Sequence, residues 1–264
     1  MKDGRFSHLE FDNTEDNPPR HEGKVFQTGS SQPSAELFLR QAHEDACWGE
    51  HERALRLYTK CLQEDRGTIA AWVGQVQMLV QLDECREARM WADKALELFR
   101  NNGELLAAKA QACVRLKDNS AAYACSDASM QASGSSAFRW QVRGEALLAN
   151  GEKTYDACFK RAVTEPKSSW FDRVLIAYVF LFYNKAAAAL ESAKEALDLE
   201  PASGYAWYTL GICHESLGSH SAAISSMKRC LDLKQDYRPA LDAINRMAHQ
   251  SLLQRVLRRL KGRP

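Results

Sequence analysis

From position 34 onward, apolar residues recur every three or four places in short runs, each closed by a few polar or glycine-containing positions. That period is the signature of amphipathic helices, and the short breaks predict antiparallel helix pairs. The runs fall in register. Units start at Ala35, Ile69, Gly103, Ala137, Trp170 and Gly204, spaced 34, 34, 34, 33 and 34 residues apart. Small residues recur inside each unit where two helices must cross closely, and polar turns such as Trp48-Gly49-Glu50 and Leu217-Gly218-Ser219 divide the unit in two. The fourth unit, with its turn at Asn150-Gly151, is one residue short.

The sixth unit carries the fullest pattern: Trp207, Leu210-Gly211, then Ala223, Met227 and Cys230. The fifth has Ile176-Ala177, Phe180, Ala189, Ala193, Ala196 and Pro201; the second has Trp72, Leu79, Ala88, Ala92 and Ala95. The first has Phe38, Ala42, Ala54, Tyr58 and Cys61; the third has Leu106, Ala110, Cys113, Ala122 and Ser126. The fourth has Trp140, Gly144, Leu147, Tyr155, Phe159 and Ala162. This set resembles the tetratricopeptide repeat family, whose unit of about 34 residues is a helix–turn–helix with aromatic, small and proline positions at fixed places. The sixth unit departs from the family pattern at His214, where an aromatic residue is usual, and the third is weak at both bulky positions.

The expected fold is all-α, a right-handed superhelix of six helix pairs, because one hairpin cannot bury its apolar face without a neighbour. A disordered arm is expected over 1–33, which is polar and broken by Asn17-Pro18-Pro19 and Gln32-Pro33. Six repeats then fill 34–236 (35–68, 69–102, 103–136, 137–169, 170–203 and about 204–237). A capping helix with a basic tail occupies 237–264, with Leu241, Ile244 and Ala248 expected to pack inward and Asp242, Asn245, Arg246 and Gln250 outward.

The resemblance implies that the first helix of each unit lines a concave face. On that frame units one to three offer mixed residues: Glu36, Leu39, Arg40 and His43, then Val73, Gly74 and Gln77, then Glu104, Ala107 and Gln111. Units four to six offer an apolar and aromatic set: Phe138, Val142, Phe171, Val174, Leu175, Tyr178, Phe182, Tyr205, Tyr208 and Ile212. The fifth first helix is apolar nearly all round, and an apolar face beyond what a core needs marks a partner surface. The expectation is a groove over repeats four to six that receives an apolar peptide or helix. The same rings packed on one another, or covered by the arm's Phe6-to-Phe11 segment, are the alternatives. Some family members clamp a terminal carboxylate with Lys, Asn and Arg; the matching places here hold Leu39, His43, Gly74, Glu104 and Ala108, which exclude that mode.

Charge changes the picture only at the end of the chain. The net charge is +1, but residues 237–264 hold seven Lys/Arg against one acid. Over 251–264, Leu252, Leu253, Val256, Leu257 and Leu260 form one stripe, while Arg255, Arg258, Arg259 and Lys261 form another. That is either an extended cap or a basic amphipathic helix for a membrane surface or nucleic acid. The eight cysteines show no Cys-x-x-Cys spacing and sit in helical pattern, which predicts buried thiols in a reducing compartment, here the cytoplasm. No phosphate loop, nucleophile elbow or His-Glu-x-x-His motif is present. The sequence therefore predicts a non-catalytic scaffold for a protein or peptide partner, with no cofactor, metal or small-molecule substrate.

Overall fold

A computed structural model describes the backbone of residues 33–261 and the side chains of 34–249. The arm expected before Pro33 lies outside the described residues, as do the basic side chains of Arg255, Arg258, Arg259 and Lys261. The described chain is all helix, thirteen α-helices with no strand among the described residues, and it divides into two compact units at Gly134.

The first unit contains α1 (Pro33–Cys47), α2 (His51–Glu64), α3 (Ile69–Gln81), α4 (Cys85–Leu98), α5 (Gly103–Arg115) and α6 (Asn119–Gln131). Each odd helix pairs with the next even one as a hairpin, and α3 packs on both α1 and α5. Ala54 of α2, Ala88 of α4 and Ala122 of α6 are all buried, and their small size lets each second helix close on its partner. Trp72 and Trp91 meet at 6.1 Å between ring centroids and anchor the second hairpin. Fully burying a side chain of this size contributes about 1.5–3 kcal/mol.

The second unit contains α7 (Ala137–Ala149), α8 (Tyr155–Thr164), α9 (Trp170–Phe182), α10 (Ala186–Leu199), α11 (Gly204–Ser216), α12 (His220–Leu233) and α13 (Arg238–Lys261). Ala189 and Ala223 repeat the crossing place of the first unit and are buried. In the fourth hairpin Tyr155 stands at that place. Its ring lies 5.9 Å from Phe159 and 6.3 Å from Phe180, with the Lys185 ammonium 5.4 Å from its centroid. A ring cannot enter a crossing cut for a methyl group, and α8 starts only at Tyr155, with 10 residues against 13 or 14 in α4, α6, α10 and α12.

Backbone geometry keeps the same register. Positive φ angles occur at Gly49, Asp83, Lys117, Gly151, Asn184 and Gly218, one in the turn of each hairpin. At each, two main-chain bonds close the helix end: in the second hairpin Asp83 N–H donates to Val80 O and Glu84 N–H to Leu79 O. This left-handed closure satisfies carbonyls that the helix end would leave orphaned. First helices are entered through equally regular locks. Trp72, Trp140 and Trp207, each the fourth residue of its helix, donate from the indole nitrogen to Arg66 O, Ser135 Oγ and Pro201 O at 2.9, 3.0 and 2.9 Å. In α9 the same place is Arg173, whose guanidinium reaches Ser169 O and Val163 O instead.

The end of the array differs from expectation by one residue. Ala240, Ala243 and Met247 of α13 are buried, Ile244 is half-buried, and Leu241 and Ala248, both expected to pack inward, are exposed. These positions continue the register of Ala206, Thr209 and Cys213 in α11, 34 residues earlier. Small Ala240 and Ala243 permit the close approach that Leu241 would block. Arg246, expected to face outward, makes a two-pronged ion pair with Glu215 of α11 at 2.8–3.1 Å.

Candidate functional site: the faces of the first helices

The ten apolar residues expected to line a groove over repeats four to six separate by burial. Phe138, Val142, Val174 and Tyr205 are buried and present no surface to a partner. Phe171, Leu175, Tyr178, Tyr208 and Ile212 are half-buried, and Phe182 is 49% exposed. Packing between successive first helices accounts for the difference. Tyr205 of α11 stacks on Tyr178 of α9 at 5.8 Å and on its neighbour Tyr208 at 6.2 Å, and lies 6.4 Å from Phe171. Tyr208 meets Tyr237 edge-on at 5.3 Å, which carries the ring series to the start of α13. The rings also join Ala206, Ala223, Met227 and Ala243 in one core cluster. Burial pushes the Tyr178 and Tyr205 hydroxyls well up, so both stay neutral hydrogen-bonding groups. The aromatic stripe is therefore mainly the seam that joins α9, α11 and α13. Its accessible remainder is Phe182 with the outer edges of Leu175, Tyr178, Tyr208 and Ile212.

An open cleft is found instead in the first unit. It has a volume of about 630 Å³ and is lined by α1 (Glu36, Leu39, Arg40, His43), α3 (Ile69, Ala70, Val73, Gly74, Gln77), Glu104 of α5 and Tyr58 of α2. Gly74 creates the floor. A Cβ built there would stand 2.3 Å from the Tyr58 ring, so only glycine lets that ring slide beneath α3 and show its edge to the cleft. Leu39, Val73 and Ile69 complete an apolar floor. The rim is charged, with Glu36 and Glu104 in the first turns of α1 and α5 and Arg40 and His43 farther along α1. Arg40 is held only loosely, 3.9 Å from Glu44 in an exposed pair. Eight of these positions are the inward places read from sequence for units one to three. Tyr58, Ile69 and Ala70 were not among them. Tyr58 belongs to a second helix, and its only signal was an aromatic one hairpin before a glycine.

At four of the places matched to that carboxylate clamp the cleft holds Leu39, His43, Gly74 and Glu104, so the clamp's Lys, Asn and Arg are missing there. A second, polar hollow of about 430 Å³ lies across α1 and α2 between Asp45, Arg53, Arg56 and Lys60. Six of the eight cysteines are buried in the core, while Cys47 and Cys125, expected to be buried too, are half-buried. Burial pushes the Cys113 and Cys230 thiols up to about 11 and Cys213 to about 12, far from a thiolate at neutral pH. Among the described residues no group of three His, Cys, Asp or Glu side chains is placed to hold a metal ion, and no helix is long and apolar enough to cross a membrane.

Residues 204–237, the hairpin of α11 and α12, match the tetratricopeptide repeat profile. Superkiller complex protein 3 of mouse is 28% identical over 200 residues, which is 73% of this chain but 12% of that protein. A tetratricopeptide repeat protein from Parabacteroides merdae superposes with a TM-score of 0.51 at 14% identity, over 82% of this chain and 86% of its own. A thermophilic tetratricopeptide repeat protein of Thermus thermophilus gives 0.45 at 16% identity, over 83% and 99%. At 14% identity the Parabacteroides structure speaks to fold alone. One hairpin matches the repeat directly and the others keep its turn and register, so the described chain is an all-α array of helix hairpins similar in fold to tetratricopeptide repeat proteins.

Proposed function

We propose that this chain is a non-catalytic scaffold that holds a polypeptide partner against the faces of its first helices. The observation that carries the reading is the 630 Å³ cleft on α1, α3 and α5. It has the build of a peptide site, with an apolar floor for one or two side chains and separated charges to fix direction. Its lining is apolar and charged, and the thiol–histidine contact beside it, Cys47 Sγ to His43 Nε2 at 3.7 Å, joins neighbours one turn apart on α1, so the reading is recognition. A second, apolar contact over repeats four to six rests on Phe182, the large aromatic left most exposed, with the half-buried Tyr178 and Tyr208 edges.

Selection of a random peptide library on the full chain tests this. Bound peptides are expected to lose affinity about tenfold with Val73→Lys, which places a charge on an apolar floor. Phe182→Ser should leave them unchanged if the cleft is the site, and should weaken them if repeats four to six are. Peptides indifferent to both changes, or a library that yields none, would remove the reading.

A further inference from the structure

The cleft and the sequence before it fit one another. We propose that the chain's own N-terminal segment, Arg5 to Asp12, docks in the α1–α3–α5 cleft and competes there with any partner. The inference rests on the cleft being a peptide site.

Three observations carry it. First, the cleft is directional. Glu36 and Glu104 stand at the end where α1 and α5 begin, and Arg40 and His43 stand toward the other end of α1, over an apolar floor of Leu39 and Val73. Glu36 and His43 are seven residues apart, about 10 Å along a helix. Second, the segment Arg5-Phe6-Ser7-His8-Leu9-Glu10-Phe11-Asp12 carries the complementary order: a cation, then Phe6 and Leu9, then two carboxylates. In a polyproline II conformation, with three residues per turn, Phe6 and Leu9 share one face about 9 Å apart, so both reach the floor while Arg5 meets the glutamates and Glu10 meets Arg40. The reverse direction would set Glu10 and Asp12 against Glu36 and Glu104. Third, the tether is adequate. Twenty residues join Asp12 to Pro33, the first residue of the helix that forms the cleft wall. They span up to about 66 Å, several times the cleft's length, so docking within one chain is unstrained and benefits from an effective concentration of order millimolar. Repeats four to six fit the segment less well, since most of their aromatic rings are already packed on one another.

The test uses the full chain with Phe6 replaced by the photoreactive residue p-benzoylphenylalanine, irradiated in dilute solution and mapped by mass spectrometry. Cross-links are expected within one molecule, on α1 and α3 about Leu39 and Val73. Combined Glu36→Arg and Glu104→Arg, both at the rim, should lower their yield about tenfold, and adding Arg5→Glu should restore it. A fold defect in the reversed variant would leave no rescue, so rescue itself separates lost charge from lost structure. Cross-links on the second unit, links only between molecules, or a yield blind to the charge reversal would each overturn the proposal. A library peptide bearing the same photoreactive group separates the two readings. If it labels the cleft while position 6 does not, the cleft stands as a peptide site without the arm. If neither labels it, both fall.

Discussion

Six residues in left-handed backbone turn the chain from first to second helix, and only three of them are glycine. Asp83, Lys117 and Asn184 hold φ angles of 63°, 61° and 56°, a conformation that costs an L-residue about 1–2 kcal/mol and an asparagine less. Lys117→Gly is therefore expected to stabilise the chain by about 1 kcal/mol and Asn184→Gly by less, read as the shift in a urea midpoint. Gly218→Ala should do the reverse. A Cβ there meets no atom within 4 Å, so its loss of about 1 kcal/mol is purely conformational. An unchanged midpoint for Lys117→Gly would mean that the turn is relaxed. Glycine and asparagine at these places were readable as turn signals in the sequence. Lys117 was not, because lysine does not advertise a left-handed conformation; only the register of the array shows that it shares one.

At the scale of the helix, small residues at crossings decide how closely each pair closes. Gly144 of α7 faces the Phe159 ring, and an added Cβ would lie 2.7 and 2.8 Å from two ring carbons. Gly211 of α11 faces Met227, whose terminal methyl is the nearest atom at 2.7 Å. A ring fixed between Tyr155 and Phe180 cannot yield, whereas a thioether can rotate away. Gly144→Ala is thus expected to cost about 1–3 kcal/mol and Gly211→Ala under about 1, measured by the same denaturation. Equal losses would show that Met227 is as confined as Phe159. The repeating alanines made the hairpins legible, because a small residue recurring every 34 positions is what a stack of close helix crossings demands. The late start of α8 was not legible: Tyr155 looked like an ordinary aromatic position, and only the structure shows it standing where its neighbours carry alanine. The same limit governed the site. Residues on the inward face of a first helix serve both groove and neighbouring helix, and periodicity cannot divide them. Tyr205 and Val174 went to the seam, Phe182 to the surface, and the mild residues of units one to three made the open cleft.

For the whole molecule, each hairpin rests on those beside it, and stability is close to a sum over neighbours. A lesion should therefore stay local. Trp91→Ala removes a buried ring from the second hairpin, which costs about 3–5 kcal/mol. Amide exchange should then accelerate through α3 to α6 while α9 to α12, in the other compact unit, keep their protection. Uniform loss across all helices would instead mark the chain as a single cooperative block. The whole-chain class, all-α and repetitive, was plain from the 34-residue period, whereas the division at Gly134 left no mark in that period.

Ala240, Ala243 and Met247 occupy the register of a first helix, so to the hairpin before it α13 looks like the opening of one more repeat. The array is thus built like a rack with a standard fitting at its last slot. A 34-residue module grafted ahead of Arg238 would meet on one side the surface of α11 and α12 and offer on the other the surface that α13 already accepts, so duplication or engineering can lengthen this protein without redesigning its cap.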